Sequence, residues 1–257
     1  MDLGLAGKSA LVLGGSRGLG RAIAQALAEE GARLRIVGRD RAALAQAAND
    51  IGRCGVTVDH QVVDLSRGED VDALSASVNE VDVLVLNGGG PAPGTAAAVE
   101  NAAWRSAFES MVLAPMRLAR AALPGMRRRK FGRILIVLSS GVVQPIPNLA
   151  VSNALRLSLV GWAKTLAAEV ALDGVTINGL APGRIHTSRV DALDNAEAAR
   201  SGRAVEDVRA QSRANIPVGR YGTPEEFAAV GAFLASEKAS YVTGAVLRID
   251  GGMIRSI

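Results

Sequence analysis

The sequence predicts an α/β protein: one doubly wound domain in which helices cover both faces of a mostly parallel, seven-stranded sheet. Short runs rich in β-branched residues alternate with longer helical stretches, which indicates strand–helix–strand units with right-handed crossovers. Most predicted strands are near-continuous apolar runs, as expected where both sheet faces are buried. No shift of composition and no repeat divides the chain, so we expect a single domain over residues 1–257.

Seven segments have strand character: Ala10–Leu13, Leu34–Val37, Val58–Val63, Val81–Leu86, Arg133–Leu138, Thr176–Leu180 and Val246–Ile249. Five stretches between them have helical character: Gly18–Glu30, Arg41–Ile51, Val71–Val78, Ala103–Arg128 and Ala150–Leu172. A later helix begins at Thr223, because Thr223 can cap it, Pro224 suits its first position and Glu226 completes a capping box.

Residues 189–215 differ from the rest of the chain. They are polar, charged and only weakly periodic, and they follow a predicted strand. A long segment of this kind is typical of a lid or binding loop, so we expect residues 189–215 to cover the substrate site. Its basic residues fit either an anionic ligand or a solvated lid helix: Arg189, Arg200, Arg203, Arg209 and Arg213.

Composition narrows the class of protein. The net charge of +4 comes mainly from arginines that are dispersed along the chain. The basic cluster at 127–130 falls where a helix should end, so a solvated helix end explains this cluster better than a nucleic-acid-binding patch does. The longest apolar runs are strand-length, which predicts no membrane span. A single cysteine, Cys54, and an N-terminus without a secretory pattern predict a cytoplasmic protein.

A glycine-rich turn joins the first strand to the first helix. Gly14 permits the tight turn, whereas Gly18 and Gly20 remove side chains where a phosphate approaches and where helix meets strand. The following helix N-terminus offers free N–H groups to a pyrophosphate. A tight turn without a ligand is the alternative. We predict dinucleotide binding by the residues of this turn: Gly14, Ser16, Arg17, Gly18, Leu19 and Gly20.

The tip of the second strand indicates which dinucleotide is bound. Gly38 stands where a carboxylate would bind the ribose 2′-hydroxyl of NAD. Arg39 follows it and Arg17 lies in the glycine turn, so two guanidinium groups are available for the 2′-phosphate of NADP. We therefore predict NADP as the cofactor, while Asp40 keeps NAD possible.

Taken together, these motifs resemble the short-chain dehydrogenase/reductase family, especially its 3-oxoacyl-acyl-carrier-protein reductase-like members, from Leu5 to Met253. The resemblance also covers a pair after the third strand that contacts adenine, a glycine-rich stretch after the fourth, and a Pro-Gly-x-Ile-x-Thr-like segment that contacts the nicotinamide. It implies cofactor binding by Asp64, Leu65, Asn87, Gly88, Gly89, Pro182, Gly183, Ile185 and Thr187.

The resemblance implies a Rossmann-type fold and an NAD(P)-dependent oxidoreductase acting on a carbonyl or alcohol of a small-molecule substrate. It further implies a homo-oligomer, a tetramer or a dimer, with interfaces at the long helices and the last strand. The sequence predicts no metal site.

The chain departs from the family at its reactive residues. The family serine is present as Ser139, but Ser152 occupies the position of the tyrosine, Arg156 that of the lysine and Met111 that of an asparagine. The family tyrosine works as an acid because a phenol pKa near 10 can be lowered by neighbouring positive charge, whereas an aliphatic hydroxyl starts far higher. Arg156 can still bind ribose hydroxyls and supply positive charge.

Two functional hypotheses follow. In the first, Ser139 and Ser152 polarise a carbonyl, Arg156 binds the cofactor, and water or His186 supplies the proton. An exposed loop position is the simpler interpretation of His186. In the alternative, the chain is a catalytically inactive NAD(P)-binding protein that acts as a sensor or an assembly subunit.

Overall fold

Seven parallel strands form one sheet in the computed structural model, which describes residues 1–256. They are β1 (Ser9–Leu13), β2 (Arg33–Gly38), β3 (Val58–Val62), β4 (Val83–Leu86), β5 (Gly132–Val137), β6 (Val175–Pro182) and β7 (Val246–Ile249). Their order is β3-β2-β1-β4-β5-β6-β7, so the winding direction reverses between β1 and β4. The α/β prediction is confirmed, and all six neighbouring pairs are parallel rather than most of them.

Helices cover both faces of this sheet, as predicted. They are α1 (Gly18–Glu29), α2 (Arg41–Gly52), α3 (Gly68–Ser75), α4 (Asn101–Phe108), α5 (Ala114–Arg129), α6 (Ala150–Val170), α7 (Ser188–Ser201), α8 (Val205–Ala214) and α9 (Pro224–Ala235). One buried cluster joins the sheet to α3, α4, α5 and α6, and the other joins it to α1, α2 and α9. Alternate residues of β1 enter opposite clusters, because successive strand side chains point to opposite faces.

The burial expected of the strands is wrong for β3. Its residues from Asp59 to Val62 are exposed, including His60. The cause is its place at the edge of the sheet, beyond β2, where no further strand covers it. Charged and polar residues suit such an edge, because they discourage pairing with another chain.

The single helix predicted at Ala103–Arg128 is interrupted. A π-helical segment, Glu109–Leu113, separates α4 from α5. Met111 lies within it and is 6% exposed. Such segments widen a helix by one residue and occur often at functional sites.

Residues 189–215 fold into α7 and α8 and contain no strand. The helix predicted after Thr223 is α9, and its capping box is present. Thr223 Oγ1 accepts a hydrogen bond from Glu226 N at 3.2 Å, and Glu226 Oε2 accepts one from Thr223 N at 2.8 Å. Two reciprocal bonds fix the start of this helix.

The basic cluster at 127–130 closes α5, and each of its four side chains makes an ion pair. The acidic partners are Asp173, Glu80 and Asp82. Over residues 1–256, no helix is long and apolar enough to cross a bilayer. In the same part of the chain, no group of three or more His, Cys, Asp or Glu side chains is arranged to hold a metal ion.

Candidate active site

A cleft of about 1480 Å³ opens at the carboxyl ends of the strands, across the point where the strand order reverses. Ligands of open α/β sheets bind in this crevice. The loops after β1, β2 and β3 line one end, and those after β4, β5 and β6, with α7, line the other. The volume exceeds the roughly 300–1,000 Å³ of common small-ligand pockets, which leaves room for a dinucleotide and a substrate together.

The glycine turn forms the middle of the cleft floor. Gly14 and Gly18 have φ of +62° and +56°, a conformation that favours glycine. A side chain at Gly18 would project into the cleft, where only Thr187 lies within 4 Å. A side chain at Gly20 would overlap the Gly14 carbonyl, so Gly20 permits close helix packing and does not itself line the cleft. Asn87 Nδ2 donates to Leu13 O at 3.1 Å and ties the turn to β4.

Charged groups occupy the end of the cleft near β2. Arg17 Nη2 lies 3.0 Å from Asp40 Oδ2, while the other Asp40 oxygen caps α2 by accepting from Ala43 N at 3.1 Å. Arg39 lines the cleft and makes no ion pair within residues 1–256. The pKa of Asp64 is lowered by hydrogen bonds from Ser66 N and Oγ, and further by the charge of Arg39.

Two serine hydroxyls lie at the opposite end. Ser139 follows β5, and its Oγ accepts a hydrogen bond from Gly141 N at 3.0 Å. Its hydroxyl proton therefore remains free to donate to a ligand oxygen. Ser152 lies in the first turn of α6, is 7% exposed and lines the same cleft.

Arg156 lies one helical turn further along α6 than Ser152. It lines the same cleft as the two serines. It donates to Val137 O and, at 3.4 Å, to Gly88 O, both at carboxyl ends of strands. A guanidinium carries more N–H donors than these two bonds use. Burial, and secondly the charge of Arg189, lower the Arg156 pKa to about 10, so the group stays charged at neutral pH.

The other candidate proton donors lie outside the cleft. His186 is 70% exposed, and its Nε2 lies 3.7 Å from Asp191 Oδ1. The structure therefore does not bring His186 together with Ser139, because its side chain turns to solvent. Tyr221 donates to Asp194 Oδ2 at 2.9 Å, and Tyr241 is fully exposed. Within residues 1–256, the cleft lining contains no histidine, tyrosine, cysteine or lysine.

The remaining predicted residues all line this cleft. They are Ser16, Leu19, Leu65, Gly89, Pro182, Gly183 and Ile185, together with Asn87, Gly88 and Thr187.

Sequence reasoning missed how α7 is held over the site. Asp194 is fully buried and accepts hydrogen bonds from Arg184 Nη1 at 2.9 Å and from Tyr221 OH. Arg189, at the start of α7, crosses the cleft and donates from Nη2 to Pro91 O at 2.8 Å. In the sequence, only the arginines that follow the sixth strand, Arg184 and Arg189, indicated ion pairs here, and a sequence does not show which acidic residues they contact.

The fold and the cleft define a doubly wound α/β protein of the Rossmann type. The family model described as enoyl-(acyl carrier protein) reductase matches residues 14–254. The chain is 37% identical over 252 residues to 3-oxoacyl-(acyl-carrier-protein) reductase FabG of Escherichia coli strain K12, covering 96% of this chain and 97% of that protein.

Solved structures agree with these matches. The L-sorbose reductase of Gluconobacter frateurii, solved with NADPH and L-sorbose, is 34% identical with a TM-score of 0.94, over 100% of both chains. A short chain dehydrogenase/reductase family protein is 32% identical with a TM-score of 0.84, over 98% of this chain and 99% of that one. The chain belongs to the short-chain dehydrogenase/reductase family and is an oxidoreductase of CH–OH and C=O groups.

Proposed function

We propose that this protein is an NADP-dependent oxidoreductase that interconverts a carbonyl and an alcohol without an ionisable side chain as proton donor. The observation that carries the proposal is the cleft itself. It joins a glycine turn with open space at Gly18 to two serine hydroxyls and a buried guanidinium. The NADPH complex of L-sorbose reductase, with the same fold throughout, supports the choice of cofactor.

The residues of the cleft fit a dinucleotide phosphate. At Gly18 only Thr187 would come within 4 Å of an added side chain, so a pyrophosphate has room against the N-terminus of α1. Arg39 makes no ion pair in the described chain and lies beside Gly38, where a 2′-phosphate would need positive charge. Arg17 can join it by exchanging Asp40 for the phosphate.

The nicotinamide, when bound, supplies or accepts the hydride. Ser139 donates a hydrogen bond from its free hydroxyl to the substrate oxygen, and Ser152 provides a second hydroxyl in the same cleft. Arg156 holds positive charge under that oxygen and binds ribose hydroxyls with its unused N–H groups. Because His186 faces solvent, water supplies the proton in this proposal.

A turnover screen tests the function. Purified protein is titrated with NADPH and NADH, then assayed for cofactor oxidation on ketones, aldehydes and acyl thioesters, with and without the substitutions Ser152→Tyr and Arg156→Lys. A missing general acid costs about 100- to 10,000-fold, so we expect slow turnover by the natural chain and a gain of that order in the double variant.

Two outcomes would contradict the proposal. No saturable binding of either nucleotide would exclude any role for the cleft as a cofactor site. Tight nucleotide binding without turnover on any substrate class, in both the natural chain and the double variant, would favour the sensor or assembly subunit instead.

We also propose that residues 189–215 form the lid of this site. Helix α7 borders the cleft, while Arg184, Asp194 and Tyr221 link it to the segment before α9. Arg189 reaches from this helix to the opposite wall.

We further propose that the protein forms a homo-oligomer, a tetramer or a dimer. The outer face of α6 carries exposed apolar and small residues: Ala154, Leu157, Gly161 and Ala168. Ala163 and Ala167 face the chain's own core and are not available to a partner. The strand β7 lies at the edge of the sheet, which suits a second interface.

We place the protein in the cytoplasm. Cys54, the only cysteine, is exposed and has no second cysteine to pair with in the chain. A solvent-accessible thiol of this kind is typical of a reducing compartment.

A further inference from the structure

Two guanidinium groups at the reactive end of the cleft have no acidic partner. Arg156 donates to the backbone carbonyls of Val137 and Gly88, and Arg189 donates to that of Pro91. Within residues 1–256, no carboxylate lies at ion-pair distance from either group. Burial lowers the pKa of both, and the charge of Arg189 lowers that of Arg156 further. Arg156 is only 9% exposed, so its uncompensated charge is unfavourable unless a ligand neutralises it, whereas Arg189 is exposed to the solvent of the cleft and is accessible to such a ligand.

Two of the other lid arginines are neutralised by nearby acids in ion pairs of 2.6 Å, Arg200 with Glu197 and Arg209 with Glu206. Arg203 and Arg213 make no ion pair within residues 1–256, but both lie outside the cleft lining. A solvated lid helix explains these pairs, but it does not explain Arg189.

The position of Arg189 is itself costly. It is the second residue of α7, where the helix dipole disfavours a cation. Its side chain nevertheless extends across the cleft, since a side chain added at Gly90 would lie 3.0 Å from its Nη2. Arg189 therefore joins the α7 wall to the loop after β4, at the end of the cleft where Arg156 lies.

We propose that Arg189 binds a carboxylate of the substrate, so that the protein acts on oxo acids or hydroxy acids rather than on neutral ketones. This inference rests on the proposed function, because the carboxylate belongs to the molecule that is reduced or oxidised. A planar guanidinium matches a carboxylate through two parallel hydrogen bonds. The ligand would also neutralise the positive charge that Arg189 and Arg156 share.

The test compares acids with their neutral analogues. Pyruvate, acetoacetate and 4-oxopentanoate, each beside its methyl ester, are assayed by kcat/KM with NADPH and by calorimetric binding to the NADP complex. The variants are Arg189→Met and Arg189→Lys. Arg203→Met is the control, because Arg203 lies outside the cleft lining and its loss removes the same charge from the lid.

We expect at least one acid to be preferred over its ester by about 10- to 100-fold, the value of a charge-assisted pair. Arg189→Met abolishes that preference, Arg189→Lys keeps part of it, and Arg203→Met keeps all of it, with NADPH affinity unchanged throughout. The proposal is overturned if the natural chain shows no preference for acids. It is also overturned if Arg189→Met weakens NADPH binding instead, since the guanidinium would then serve the cofactor phosphates. The calorimetric arm decides the matter even if nothing turns over, which separates this inference from the proposed function.

Discussion

Compared with the tyrosine and lysine of the family, Ser152 removes an ionisable hydroxyl from the site, whereas Arg156 keeps its positive charge. A serine hydroxyl cannot be ionised near neutral pH by the neighbours that would suffice for a phenol. The guanidinium keeps its proton, because its pKa of about 10 lies well above neutrality despite burial. In the proposed function, fixed charge and hydroxyl donors therefore still stabilise a developing alkoxide, and only the delivery of the proton is changed.

We expect Arg39 to determine the choice of cofactor. Arg39→Ala should weaken NADPH binding by about 10- to 100-fold, because charge-assisted bonds to the 2′-phosphate are lost, and should leave NADH binding nearly unchanged. Fluorescence titration with both nucleotides measures the effect. Arg41→Ala is the matched control, since Arg41 begins α2 outside the cleft lining. Equal losses for NADPH and NADH, or an equal effect of the control, would show that Arg39 does not read the phosphate.

The site residues that could be predicted from sequence are those whose role is set locally. Gly14 and Gly18 need positive φ in a turn whose place is fixed by the strand before it and the helix after it. His186 could not be oriented in this way. It lies between two residues that line the cleft, Ile185 and Thr187, yet its own side chain points to Asp191 on α7. Tertiary contacts determine that direction, and sequence spacing does not.

Among the elements, α9 is the best specified by its own sequence. Threonine, proline and glutamate at its start give the capping box directly. The break between α4 and α5 is the opposite case. No proline or glycine marks residues 109–113, so the periodic pattern predicts one helix and the π-helical segment is not foreseen. The pairing of Asp194 with Arg184 and Tyr221 likewise depends on how α7 packs on distant segments.

The capping box makes stability depend on pH. Hydrogen bonds from Arg220 and Thr223 lower the pKa of Glu226 from 4.5 to about 2. A depressed pKa means that the contribution is complete above pH 4.5 and is lost as the pH falls towards 2. The difference in unfolding free energy between the natural chain and Glu226→Gln should therefore be greatest at pH 7, though modest for an exposed ion pair, and should shrink steadily below pH 4.5.

Urea denaturation at pH 7, 4.5 and 3 measures this difference. Glu225→Gln is the control, because Glu225 occupies the same helical turn but forms no ion pair in the described chain. A difference for Glu226→Gln that does not change with pH, or that Glu225→Gln reproduces, would refute the assignment.

At the scale of the whole molecule, the fold was predictable because most βα units repeat the same pattern of apolar strand and amphipathic helix. Which strands lie at the edges of the sheet was less predictable, because this depends on the order of the strands and not on the sequence of any single strand. β3 and β7 differ in burial from the central strands for this reason.

Assembly is expected through α6. Leu157 is 53% exposed on its outer face, and a charge there should disrupt a packed partner helix. Leu157→Arg should reduce the molecular mass in solution by half or more, while the protein stays folded and binds NADPH. Light scattering after size-exclusion chromatography measures the mass. Val62→Arg, on the far edge strand β3, should leave it unchanged. A monomeric natural chain would contradict the proposed oligomer.

Because the strand order reverses between β1 and β4, the two ends of the cleft are lined by two different stretches of the polypeptide. Lining residues up to Ser66 come from the loops after β1, β2 and β3, where we expect the adenosine end of the cofactor, and those from Asn87 onward surround the end that contains Ser139 and Ser152. The two stretches meet where β1 pairs with β4 and where Asn87 donates a hydrogen bond to Leu13 at the start of the glycine turn. A substitution at the far end, such as Ser152 in place of the family's tyrosine, therefore leaves the glycine turn and the loops after β2 and β3 untouched, so it need not weaken the binding of the nucleotide.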